Sequence, residues 1–168
     1  MSRVFNLIFA LAISPIILFL LMLCSIAIAA LEGWPIFFCS TRIGKNQQSF
    51  TMIKFRTMST CAPLIPSNNQ SASAYVTKLG RFLRLTSLDE LPQLFNILNG
   101  SMAFIGPRPC LACEVELIKH RARKNIFSMT PGVTGLAQAR GRDKNSMRNK
   151  VRYELFYLKK SLCYFMYI

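Results

Sequence analysis

Acid is what this chain has least of. Seven Asp and Glu stand against twenty-one Lys and Arg, a formal net charge of +14 over 168 residues. Histidine is nearly absent as well, with His120 alone. The CxxC spacing of Cys110-Leu111-Ala112-Cys113 therefore lacks both a second CxxC and the histidines that would complete a tetrahedral zinc site. The six cysteines are scattered, and Cys24 sits in an apolar run, which excludes the paired framework of a small secreted domain and points to free thiols in a reducing compartment. Charge of either sign is missing between Arg3 and Glu32. That gap exceeds the roughly 18 apolar residues that mark a membrane segment, and it is too long for the apolar core of a signal peptide.

Apolar bulk and positive charge are thus segregated. Residues 1–32 read as a membrane anchor, and apart from Arg3 the basic residues all follow it. The remaining length suits one compact domain. A basic domain tethered beside a membrane fits an anionic lipid surface or phosphate-rich substrates, with nucleic acid as the competing partner class, and its charge belongs on the cytoplasmic side. Ser14-Pro15 interrupts the anchor: proline removes a backbone donor and crowds the preceding turn, predicting a kink. The arms on either side are about 16 and 24 Å long, each short of the roughly 30 Å hydrocarbon core, as a helix-break-helix entering and leaving by one face requires. A spanning helix with a tolerated proline kink is the other topology, and the residues alone lean towards it.

Beyond Trp34-Pro35, segments 36–39 and 50–58 read as strands around a polar turn at 44–48. Strict alternation over the second would point Lys54 and Arg56 to the same side, suited to an anion or to a solvated edge. Segment 60–73, rich in Pro, Asn and Ser, reads as a loop, and 76–85 as a basic amphipathic helix. Two of the seven acids are adjacent in Thr86-Ser87-Leu88-Asp89-Glu90-Leu91-Pro92, opening a short helix that runs to Gly100. Ser87 and Glu90 match a capping box, and a second register makes Asp89 the cap with Pro92 in the first turn; capping and catalysis both remain open. Arginines stand in stiff or glycine-rich turns at Gly106-Pro107-Arg108-Pro109 and at Arg140-Gly141-Arg142-Asp143, a general anion-cradling pattern.

Taken in order, Lys54-Phe55-Arg56-Thr57-Met58, the run from Arg81 through Asp89-Glu90-Leu91-Pro92-Gln93-Leu94 to Asn96, Gly106-Pro107-Arg108-Pro109, and Pro131-Gly132 through Thr134-Gly135-Leu136-Ala137-Gln138 resemble the bacterial sugar transferase family of small monotopic phosphoglycosyl transferases. The resemblance covers roughly residues 1–143. It implies an α+β fold: a re-entrant membrane helix over 1–32 broken at Ser14-Pro15, then a mostly helical cytoplasmic catalytic domain with a short β-hairpin over 33–143. It places the protein on the cytoplasmic face of the bacterial inner membrane.

The implied activity is transfer of a sugar 1-phosphate from a UDP-sugar to polyprenyl (undecaprenyl) phosphate. This starts lipid-linked glycan assembly for O-antigen, capsule, exopolysaccharide or glycoprotein glycan, with downstream glycosyltransferases as further partners and no nucleic acid. Carried onto matching positions, Asp89 is the nucleophile of a covalent aspartyl phosphosugar, and Glu90 helps bind Mg²⁺. Arg84, Arg108, Arg142, Lys54 and Arg56 are the candidate substrate phosphate contacts. The departures are Ser101 and Ala103, where the family usually carries Asp and Ser, Cys39-Ser40 in place of an Arg-Gln-like pair, and a basic, divergent segment at 144–168. A non-catalytic, membrane-anchored basic protein, either a degenerate scaffold or a nucleic-acid binder, is the alternative from another class.

Overall fold

A computed structural model describes residues 2–62, 74–141 and 146–166, with side chains to residue 160 in the last segment. The loop expected at 60–73 therefore lies mostly outside the described residues, as do Arg142 and Asp143. Among the described residues the fold is α+β, mostly helical, with two small two-stranded sheets.

Helix α1, Arg3–Glu32, takes up the whole apolar run and is long and apolar enough to cross a membrane. It is helical throughout Ser14-Pro15, where the resemblance implies a break. The missing proline N–H would have bonded the Leu11 carbonyl four residues back, and the Ser14 hydroxyl donates to that oxygen instead at 2.9 Å. A serine directly before the proline thus lets the helix continue.

One stripe of α1 packs on the domain along its full length. Asn6, Ala10, Leu21 and Ile28 are buried, joined by the partly buried Ile17 and Cys24, at helical spacing. Both ends are tied down. Near the N-terminus, the Arg3 guanidinium donates to the carbonyls of Ile97 and Leu98, and Asn6 Oδ1 accepts from the Phe104 N–H at 3.0 Å. At the other end, Arg56 Nη2 donates to the Glu32 and Gly33 carbonyls at 2.8 and 2.6 Å. The opposite face, including Val4, Ile8, Leu11, Phe19 and Ile26, is exposed.

Strands β1 (Phe37–Ile43) and β2 (Ser49–Phe55) form an antiparallel hairpin whose turn carries Asn46 and Gln47 with positive φ. Strand β1 is longer than the sequence pattern predicts, and β2 ends three residues earlier, at Phe55. Helix α2, Lys78–Thr86, starts at Thr77, whose hydroxyl accepts from the Gly80 N–H. Gly80 is required there: a Cβ would lie 2.1 Å from the Thr57 carbonyl oxygen.

A 3-10 turn over Leu88–Glu90 leads into α3, Gln93–Leu98. Strands β3 (Ala103–Ile105) and β4 (Gly132–Thr134) pair in parallel, enclosing α4, Val115–Arg123. The short α5, Leu136–Ala139, follows, and α6, Met147–Met166, closes the described chain. Val151, Met147 and Leu155 of α6 pack with Cys110, Leu117, Ile126 and Phe127, so the basic C-terminal segment is a docked helix.

Candidate active site

The acid pair does not cap a helix. Ser87, in the left-handed region at φ 59°, makes no side-chain capping bond to the 3-10 turn that follows, and α3 begins after Pro92 without a side-chain cap. What fixes the pair is Asn96, which is fully buried in the apolar run Leu94-Phe95-Asn96-Ile97. Its Oδ1 accepts from the Ile53 N–H at 3.1 Å and its Nδ2 donates to the Thr51 carbonyl at 2.8 Å. The side-chain amide thereby continues the ladder of β2 and holds α3 against that strand, since a buried amide without partners would be costly.

With α3 so placed, Asp89-Glu90 faces the end of β2. Lys54 Nζ donates to Glu90 Oε1 at 2.7 Å and lies 3.8 Å from Asp89 Oδ2. Arg108 Nη2, from the turn after β3, reaches the same Oε1 at 3.1 Å. Arg84 donates through Nε to Thr57 Oγ1 at 2.9 Å, and its charge acts on Asp89. Five of the candidate residues, Lys54, Arg84, Asp89, Glu90 and Arg108, therefore gather at one place.

The two adjacent acids differ electrostatically. Burial pushes the Asp89 carboxyl above its ordinary value, outweighing the attraction of Lys54. Burial acts on Glu90 in the same sense, but the charges of Lys54 and Arg108, with the hydrogen bonds they donate, bring it below the usual carboxylate range. Burial also lowers Lys54, against the pull of Glu90. Glu90 is thus a clamped anion, whereas Asp89 is a buried carboxylate with one long ionic contact.

Arg56, which strand alternation places beside Lys54, is elsewhere: it is buried, with its guanidinium on the last carbonyls of α1. Ser14 and Pro15 lie within α1, and Arg142 falls outside the described residues. Three contributors escape the sequence reading. Asn96 is one, and a polar residue amid Leu94, Phe95, Ile97 and Leu98 is the signal that marks it. Arg42 is another. The Ile43 N–H donates to the Cys110 carbonyl at 2.9 Å, bringing the end of β1 beside the Arg108 turn. Burial and then the neighbouring Arg108 charge lower the Arg42 guanidinium.

The third is the buried pair Arg121–Glu154. Arg121 Nε and Nη2 meet the two Glu154 oxygens at 2.9 and 2.5 Å, and its Nη1 donates to the Arg108 carbonyl at 2.8 Å. Glu154 is the last acid of the chain, and the scarcity of acids is its signal.

Comparison with known proteins gives the family. The profile described as bacterial sugar transferase matches residues 1–166, continuing through α6 beyond the reach of the short motifs. An uncharacterized sugar transferase of Bacillus subtilis is 37% identical over 150 residues, 86% of this chain and 69% of that protein. The UDP-glucose:undecaprenyl-phosphate glucose-1-phosphate transferase of Xanthomonas campestris is 36% identical over 75% of this chain and 28% of its own length. The UDP-galactose-lipid carrier transferase of Erwinia amylovora is 31% identical over 95% of this chain and 36% of its own. The chain therefore spans only about a third of the longer relatives.

Proposed function

This chain belongs to the bacterial sugar transferase family, and from that premise we propose that it transfers a sugar 1-phosphate from a UDP-sugar to undecaprenyl phosphate through a phosphosugar on Asp89. An Asp89 carboxylate oxygen attacks the sugar-bearing phosphorus, the bond to the bridging oxygen breaks, and UMP leaves with the electron pair. A phosphate oxygen of the polyprenol then attacks the same phosphorus, giving the lipid diphosphate sugar and freeing the carboxylate. The observation that carries this reading is the unequal pair: Glu90 held by Lys54 and Arg108, beside a buried Asp89 left with a 3.8 Å contact.

Arg84 and Arg108 are the substrate phosphate contacts, and Lys54 holds the pair in register. Glu90 fits a hard divalent cation because Lys54 and Arg108 both bind Oε1, which leaves Oε2 as an oxygen donor. Mg²⁺ bound there supplies charge neutralisation of the diphosphate. Purified protein in nanodiscs with Mg²⁺ and undecaprenyl phosphate is expected to release UMP from at least one member of a UDP-sugar panel. Release from none overturns the reading.

The same reading makes the protein monotopic on the cytoplasmic leaflet. Support comes from α1, whose two ends both touch the domain although the helix is about 45 Å long at 1.5 Å per residue. Upright spanning would carry Arg3 a full hydrocarbon thickness, roughly 30 Å, from the carbonyls of Ile97 and Leu98. The exposed apolar face of α1 continues onto Trp34, Phe37 and Phe38. A cysteine placed at Ser2, in a background with its native cysteines replaced by serine, is expected to react with an impermeant maleimide from the cytoplasmic side only. Labelling from the periplasmic side would refute the monotopic arrangement.

A further inference from the structure

We propose that Arg121 and Glu154 are positioning residues that set Arg108 from behind, so that the C-terminal helix α6 governs the cationic wall of the acid pair. The inference uses the transfer reading only for its activity measurement. Its geometry is independent of that reading.

The Arg108 side chain is 44% exposed, and an exposed arginine pairing with a carboxylate contributes little unless its backbone already aims it. The turn that aims it is poor in donors, because Pro107 and Pro109 have no N–H. It is held through its carbonyls instead. The Gly132 N–H donates to the Pro107 carbonyl at 3.0 Å, the Ile43 N–H to that of Cys110 at 2.9 Å, and Arg121 Nη1 to that of Arg108 at 2.8 Å. The peptide unit carrying Arg108 is thus oriented by a side chain from α4, and the guanidinium on its far side reaches Glu90.

Arg121 can be buried there only because Glu154 accompanies it. The two side chains are 4% and 3% exposed, and a guanidinium in that setting without a carboxylate is strongly destabilising. Apolar residues of similar volume would join α4 to α6 equally well, since buried ion pairs are seldom superior to them in stability. What the arginine adds is a planar fork that engages both Glu154 oxygens while a third N–H remains aimed at the Arg108 carbonyl. A chain with seven acids uses one of them to make this possible.

Arg121→Lys tests the relay, because lysine retains the charge opposite Glu154 but lacks the fork needed to hold the carbonyl as well. In the full chain in nanodiscs, this variant is expected to fold, as judged by circular dichroism, and to lose about 10-fold in kcat/KM. In an Arg108→Ala background the same change is expected to cost less than about 2-fold, since its effect runs through Arg108. A loss of equal size in both backgrounds would show a general structural role and overturn the proposal.

The second readout does not need turnover. With arginine labelled by ¹⁵N, the Arg108 Nη–H signal, which reports the Nη2 bond to Glu90, is expected to lose protection from exchange in Arg121→Lys while the Arg84 Nε–Hε signal stays unchanged. Should the wild type transfer no sugar phosphate, this signal alone decides, and an unmoved Arg108 signal rejects the relay. Glu154→Asp, which keeps the charge on a shorter stem, is expected to give the same selective loss. Failure of both variants to fold would mark the pair as structural and reject the proposal as well.

Discussion

Asp89→Asn is expected to abolish transfer, with turnover down by at least about 10³-fold and no phosphosugar adduct by intact-protein mass spectrometry. Asparagine matches the shape of aspartate but has no anionic oxygen with which to form the acyl phosphate. Stability is expected to stay within about 1 kcal/mol of wild type. The reason is local. Lys54 keeps its 2.7 Å bond to Glu90, and the variant removes a charge that burial already disfavours.

A thermal melt therefore separates this variant from a misfolded one, and full turnover by it would reject Asp89 as nucleophile. The pH profile follows from the same asymmetry. Asp89 must be ionised to attack, and burial raises it, so its anion forms at higher pH than that of an ordinary aspartate at about 3.9. Activity is accordingly lost as pH falls through the raised value, and the acid limb of kcat/KM lies above the usual aspartate range. Glu90, held low by Lys54 and Arg108, is already ionised throughout that limb.

Gly132→Ala is expected to cost about 3 kcal/mol or more, seen as a lowered melting temperature and a fall in folded yield. A Cβ on Gly132 would stand 2.1 Å from the Gly106 nitrogen and 2.7 Å from its Cα. Both are backbone atoms, so no side-chain rotation relieves the contact. The clash falls on the parallel register of Ala103 with Gly132 and Ile105 with Thr134, and on the bond from the Gly132 N–H to the Pro107 carbonyl. Moving β4 disturbs Pro107-Arg108, which the Gly132 N–H holds through the Pro107 carbonyl. Any Gly132→Ala protein that does fold is thus expected to lose activity as well. Wild-type stability with wild-type activity would contradict this account of the turn.

Much of the architecture was legible in the residues because local physics wrote it there. The uncharged run up to Glu32 gave α1, turn chemistry at Gly44 to Gln48 gave the hairpin, and the basic amphipathic run at 76–85 gave α2. The acid pair stood out because the chain has so few acids. Local pattern failed where a distant partner decided the outcome. Alternation placed Lys54 and Arg56 together, yet the C-terminal carbonyls of α1 claimed the Arg56 guanidinium. A capping box at Ser87 and Glu90 was sound helix chemistry, yet Lys54 and Arg108, far away in the chain, offered Glu90 stronger partners.

Sequence by itself determined which chemistry the protein carries: an apolar anchor with a Ser-Pro step, two adjacent carboxylates and a surplus of cations. Periodicity, turn propensity and residue type depend on near neighbours, and they survive without the fold. Only the tertiary structure decided the placements. Asn96 docked α3 on β2, Lys54 and Arg108 then clamped Glu90 and left Asp89 buried beside it, and Glu154 secured Arg121 behind the Arg108 turn. Each of these depends on which buried polar groups meet across the packed interior, where an unpartnered charge is too costly to persist.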